Sequence, residues 1–251
     1  WERHLQAGDA SRLTFGAQAF GADLGEAYRA QFKALCGSGV APFYFFLTRP
    51  QRNHFNWDAT DRVVGWLHSE AIDVEASPLI WFHPYGIAPW MRALSFDEAR
   101  GVVLEQVRAA VERYGDRVHT WVMLNEPQDA DANALGFSIE QLLELTALIS
   151  DELKRLQPRA YRVLNFSDPF GARSHVHDRP SVPPIHYARL CIERGIEFEA
   201  IGLQFYFGIK RYFSCRDLLT IAETLASFSA LGKDIRVTEL GCPSRHAVDP
   251  A

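Results

Sequence analysis

The feature that most constrains this chain is a regular alternation along nearly its whole length. Short apolar or β-branched runs are separated by longer amphipathic stretches, in strict succession. The runs predict strands at 13–18, 41–47 (APFYFFL), 77–83 (SPLIWFH), 120–124 (TWVML), 161–166, 200–207 (AIGLQFYF) and 234–240 (DIRVTEL). Between them, helical patterns are predicted at 25–36, 58–69, 95–114, 138–156, 184–194 and 216–231. Asp58 stands at an N-cap position, and Gly37, Gly115, Gly195 and Gly232 follow helix ends. Strands buried on both faces and joined by helices imply a parallel sheet covered by helices.

An open doubly wound sheet and a closed (β/α)8 TIM barrel both fit that order. The turn after the first strand reads GAQAFG and lacks the glycine spacing of a dinucleotide crevice. Polar residues gather instead at the carboxyl ends of strands: Gln18, His83, Asn125, Glu126, Gln204, Tyr206 and Glu239. Chemistry in barrels is built on that rim, so the α/β barrel is the predicted fold. A net charge of -5 argues against a nucleic-acid partner. No apolar run reaches eighteen residues, so no membrane-spanning helix is predicted. Cys36, Cys191, Cys215 and Cys242 form no CxxC pair, which excludes a zinc ribbon and a disulfide scaffold.

Glu126 and Glu239 each end a strongly apolar strand, the fourth and the seventh. On a parallel barrel both ends open on one face, so two carboxylates distant in sequence converge there. Retaining glycosidases need such a pair, roughly 5–5.5 Å apart, as nucleophile and acid/base. The surrounding motifs sharpen this. LTFGAQ, FNWDATDRVVGWL (55–67), PLIWFHPYGIAPWM (78–91), RVHTWVMLNEP (117–127), EAIGLQFYF (199–207) and DIRVTELGCP (234–243) occur in that order. Together they resemble glycoside hydrolase family 10, the endo-β-1,4-xylanases of the (β/α)8 retaining clan. The resemblance implies Glu126 as acid/base and Glu239 as nucleophile, with Asn125 binding the sugar 2-hydroxyl. It places Trp81 and Trp90 as indole faces for sugar rings, and His83, Gln204 and Tyr206 around the substrate. No cofactor and no metal are implied. A carbohydrate, oligo- or polysaccharide, is the implied partner of a monomer, alone or within a larger multidomain chain, and the family implies a secreted or periplasmic setting.

The departures bear on the sugar. Where the family's second strand carries a Glu-Asn pair and a Lys, this chain has Val40, Ala41 and Tyr44. Two third-strand histidines of the family align with Ser77 and Phe82. Its sixth-strand histidine aligns with Tyr206, and the aspartate after the nucleophile with Gly241. A Tyr206 phenol is expected to replace that histidine and help keep Glu239 ionised. The chemistry is thus kept while the sugar-binding shell changes. A same-clan β-glycosidase with a non-xylan substrate, and a non-catalytic carbohydrate-binding barrel, both stay open.

Other signals are weaker. The HxH at 175–177, with Arg173, is expected to be a rim loop rather than a metal site. Asp168 is read as orienting the acid/base or as an Asx turn before Pro169. Asp58, Asp61 and Arg62 are read as helix capping and surface pairing, and Lys210-Arg211 as too short for an anion site. Seven strands are used by Leu240, and 241–251 is too short and polar for an eighth strand and helix. One barrel domain, 1–251, is therefore expected to lack its last βα unit, with the natural chain continuing or another segment filling the gap.

Overall fold

A computed structural model describes residues 14–21, 23, 25–172, 174, 181–208 and 215–242. Seven strands form one parallel sheet in sequence order. They are β1 (Gly16–Gln18), β2 (Ser38–Ala41), β3 (Asp73–Ala76), β4 (Val118–Asn125), β5 (Tyr161–Phe166), β6 (Ala200–Tyr206) and β7 (Asp234–Gly241). The connecting helices are α1 (Glu26–Leu35), α2 (Phe45–Thr48), α3 (Asp58–Ser69), α4 (Phe96–Tyr114), α5 (Ile139–Leu156), α6 (Pro184–Glu193) and α7 (Leu218–Ser229). Among the described residues the result is a (β/α) barrel with no eighth unit, as expected, and β1 and β7 are its free edges.

Local chemistry explains the long helices. Ser95 and Glu98 form a reciprocal capping box on α4, and Ser138 and Gln141 do the same on α5. Along α4, Ala99, Val102, Val103, Val107, Ala110 and Val111 are buried at helical spacing, and they turn one apolar stripe onto the sheet. On α3, Asp58 is the first helical residue and Trp57 the cap, with no side-chain capping bond. The expectation for Asp58 is thereby corrected, because its own backbone N–H is instead taken by Asn56 Oδ1 at 3.0 Å. Asp61 does pair at the surface, with Arg113 and with Tyr114 Oη at 2.8 Å. Arg62 pairs with Asp23 at 3.4 Å.

Two strands fall earlier than their apolar runs. β2 ends at Ala41, where Pro42 removes a ladder donor, and the rest of APFYFFL turns into α2. Phe43 is buried for another reason, edge-on against Tyr114 and Trp121. β3 is Asp73–Ala76, and the run 77–83 lies parallel beside the end of β4, with one isolated bridge from Ile80 to Leu124, without being a strand of its own. Leu79 N–H still reaches Val122 O at 2.8 Å, and Ile80 N–H reaches Met123 O at 3.1 Å.

The core lies in two places. The larger apolar cluster fills the space between sheet and helices. A small one, Val122, Val163 and Ala200 with Tyr161 against it, fills the floor of the barrel. The register stacks Asn125, Asn165 and Gly202 as the next level up, so the barrel interior changes from apolar to polar toward the carboxyl end.

Candidate active site

Parallel strands deliver their carboxyl ends to one face, and there a cavity of about 600 Å³ opens. Asn125, Glu126, Tyr206 and Glu239 line it, with Tyr44 and Trp81. Glu126 directly follows β4, and its φ of 53° places a non-glycine residue in the left-handed region. The backbone is held there by Glu126 N–H donating to Asn165 O at 2.9 Å. Its carboxylate is gripped on both oxygens. Trp81 Nε1 donates to Oε2 at 2.9 Å, and Gln204 Nε2 donates to Oε1 at 2.7 Å.

Gln204 on β6 is paired in register with Glu239 on β7, so one strand neighbour separates the two carboxyl-bearing positions. Tyr206 Oη donates a short hydrogen bond to Glu239 Oε2. Next to it, Thr238 Oγ1 donates to Asn165 Oδ1, and Asn165 Nδ2 donates to Asn125 Oδ1 at 2.6 Å. A continuous polar chain thus runs from β7 through β5 to β4.

Burial raises both acids. Glu126 is raised from 4.5 to about 7, chiefly by burial and then by the charge of Glu239; the Gln204 and Trp81 donors oppose this and lose. Glu239 is also raised by burial, against the hydrogen bonds of Tyr206 and Asn165. The Tyr206 phenol favours the ionised form as expected, but burial outweighs it. Tyr44 is pushed up to about 12, by burial first and then by both carboxylates.

Of the residues singled out in the sequence, Glu126, Glu239, Asn125, Trp81, Gln204 and Tyr206 come together. His83 lies one layer out, stacked on Trp81 with ring centroids 4.5 Å apart. Trp90 is placed elsewhere: its Nε1 donates to Arg49 O at 3.0 Å and its face meets the Arg49 guanidinium. The PWM segment forms a short 3-10 helix that turns Trp90 toward Arg49, away from the cavity lining, so it is corrected to a packing residue. Asp168 follows β5 by two residues and is buried, with a φ of 49° and its carbonyl accepting from Gly171 N–H. Arg173, His175 and His177, and likewise Lys210 and Arg211, lie outside the described residues. Among the described residues no group of three or more His, Cys, Asp or Glu is placed to hold a metal, and no helix is long and apolar enough to cross a membrane.

Three site residues escaped the sequence reading. Asn165 looked like an ordinary strand residue in VLNF. Glu75 and Arg236 form a 2.8 Å ion pair across the barrel interior, joining β3 to β7. Burial pushes the Glu75 carboxyl up despite Arg236. Charges at inward strand positions were the available signal, hidden because the apolar runs drew the strand boundaries.

A parallel barrel thus brings two carboxyls and an indole into one cavity at the carboxyl ends of its strands. The glycosyl hydrolase family 10 model matches residues 44–143, a stretch that holds Trp81, Asn125 and Glu126 and stops before Glu239. The resemblance carried by the motifs is thereby borne out: the chain is similar to glycosyl hydrolase family 10. Solved structures share the fold. A family 10 protein of Paenibacillus barcinonensis superposes with a TM-score of 0.74 at 20% identity, over 92% of this chain and 72% of that one. A psychrophilic family 10 endo-β-1,4-xylanase gives 0.73 at 19%, over 92% and 74%. A Cellvibrio japonicus xylanase variant in complex with xylopentaose gives 0.75 at 15%, over 94% of this chain and 50% of that one.

Proposed function

We propose that this chain is a xylanase-like glycoside hydrolase that cleaves β-glycosidic bonds with retention, using Glu239 as nucleophile and Glu126 as acid/base. The observation that carries this reading is the pairing itself: a carboxyl raised to about 7 beside a second carboxyl in one cavity. Near neutral pH Glu126 holds a proton to give. Glu239 Oε attacks the anomeric carbon as the glycosidic C–O bond breaks, and the Glu126 proton goes to the leaving oxygen. Once Glu239 is an ester its charge is gone, so Glu126 loses the repulsion that raised it and becomes a better base. It then takes a proton from water, whose oxygen displaces Glu239 from the sugar. Asn125 supplies an N–H to the 2-hydroxyl, a contact that strengthens in the transition state.

We read 1–251 as one barrel domain that acts on an oligo- or polysaccharide as a monomer, alone or within a larger multidomain chain, in a secreted or periplasmic setting. One observation favours a sugar other than unsubstituted xylan. The wall at the second strand is Val40 and Tyr44, and Tyr44 stacks on Phe46 at 5.5 Å and leans on Trp81 at 5.9 Å. An aromatic wall recognises a ring face where a Glu-Asn-Lys set would recognise hydroxyls.

The test is turnover of aryl β-glycosides. Glu239→Ala is expected to lose at least about 10³-fold in kcat. Glu126→Ala is expected to keep the first step on substrates with good leaving groups but to stall at the glycosyl-enzyme, and to recover turnover as β-glycosyl azide when azide is added. Undiminished turnover by Glu239→Ala would sink the assignment.

A further inference from the structure

Asn165 is fully buried on β5, at the first polar level of the barrel interior. A buried amide has four hydrogen-bonding positions to satisfy, and leaving one unmet is costly. The neighbours meet these demands in an ordered way. Thr238 Oγ1 donates to Asn165 Oδ1, which fixes the orientation of the amide. The Nδ2 end then faces Asn125 and donates to its Oδ1 at 2.6 Å. With that oxygen engaged, Asn125 presents its own Nδ2 to the cavity it lines. The Asn165 carbonyl, meanwhile, takes the Glu126 N–H and so holds the left-handed turn at the acid/base.

The room for this amide is supplied by a second element. A β-carbon at Gly202 would lie 2.5 Å from Asn165 Oδ1 and 2.8 Å from Thr238 Cγ2. No side chain fits there, so a glycine on β6 is what lets β5 and β7 meet inside the barrel. An Asn in this position without such a neighbour would be an ordinary buried polar residue. Here the gap, the donor from β7 and the acceptor on β4 converge on one group.

We infer that Asn165 is a positioning residue that ties the nucleophile strand to the sugar-binding Asn125, setting the direction of the Asn125 amide toward the substrate 2-hydroxyl. This rests on the glycosidase reading of the site. Its hydrogen bond toward Glu239, which holds that carboxyl's pKa down against burial, is consistent with the same hub.

Kinetics on a matched pair of aryl β-glycosides, with and without the 2-hydroxyl, test it. Asn165→Ala is expected to lower kcat/KM on the parent substrate about 10- to 100-fold, mainly through kcat. On the 2-deoxy substrate the loss should shrink to about threefold or less, because the contact being aimed no longer exists. Asn125→Ala with Asn165→Ala should be no worse than Asn125→Ala alone by more than about threefold. Thr238→Val keeps the strand's shape while removing the donor that orients Asn165, and should show the same substrate-dependent loss at smaller size. It serves should Asn165→Ala fail to fold. Equal losses on both substrates, or no loss in either variant, would overturn the inference while leaving an active glycosidase. A wild type that hydrolyses neither substrate would remove the glycosidase reading, and this inference with it.

Discussion

Glu126 combines a strained backbone with an unfavourable charge, and both have measurable consequences. A non-glycine residue held at a φ of 53° costs on the order of 1–3 kcal/mol, tolerated where the surroundings fix it. The charge adds to this. In the folded chain Glu126 keeps its proton to about pH 7, whereas the unfolded carboxyl releases it near 4.5. The unfolded state therefore binds fewer protons across that window, and stability is lost as pH rises through it. Glu126→Gln should thus gain stability over wild type as pH goes from 4 to 8, by about 3 kcal/mol. Urea unfolding at both pH values checks this, and a pH-independent difference would contradict it. This residue was legible because NEP at a strand end is a short, specific pattern. Asn165 was not, because a single Asn inside an apolar strand carries no sign of which groups three other strands will bring to it. Trp90 misled for the opposite reason: an aromatic in a matching motif has no direction until its helix is placed.

Strand β7 carries Glu239 while being an edge among the described strands, so what anchors it matters. Its partner β6 holds one side, and Arg236 reaches across the interior to Glu75 on β3. Glu75 is 8% exposed and Arg236 33%, so removing the arginine strands a buried acid. Arg236→Ala is expected to cost about 2–3 kcal/mol at pH 8, below the range for a fully buried pair because the arginine is partly solvated. The cost should be smaller at pH 5 than at pH 8, because burial raises the Glu75 carboxyl and favours its neutral form increasingly as pH falls. Equal losses at the two pH values would show that the pair does not act through charge. At this scale the sequence reading placed the helices well, since Ser95 and Ser138 begin them with complete capping boxes. It displaced β2 and β3 because burial, which it followed, extends past Pro42 and includes the non-strand stretch 77–83. Ladder bonds, which define strands, do not follow the apolar runs.

Across the whole molecule, protection should be uneven. β4 and β5 sit mid-sheet with Val122, Val163 and Leu164 fully buried, whereas β1 is exposed along its length and Val237 and Leu240 on β7 are 52% and 72% exposed. Native-state hydrogen exchange should find the amides of β4 and β5 slowest, exchanging near the global limit. The amides of β1, and those of β7 facing away from β6, should be fast. Outward β7 amides as slow as those of β5 would mean that a further segment covers the edge. The alternation of runs was enough to give this architecture because six consecutive βα units and a seventh strand admit few topologies. The central claim, that the barrel positions Glu239 to form a covalent glycosyl intermediate, is tested most directly by trapping. The protein is incubated with a 2-deoxy-2-fluoro aryl β-glycoside, which slows the second step, then digested and its peptides weighed. The account predicts one added fluoroglycosyl group on the peptide containing Glu239, absent in Glu239→Gln. A label on another residue, or product released with inverted anomeric configuration and no label, would contradict it.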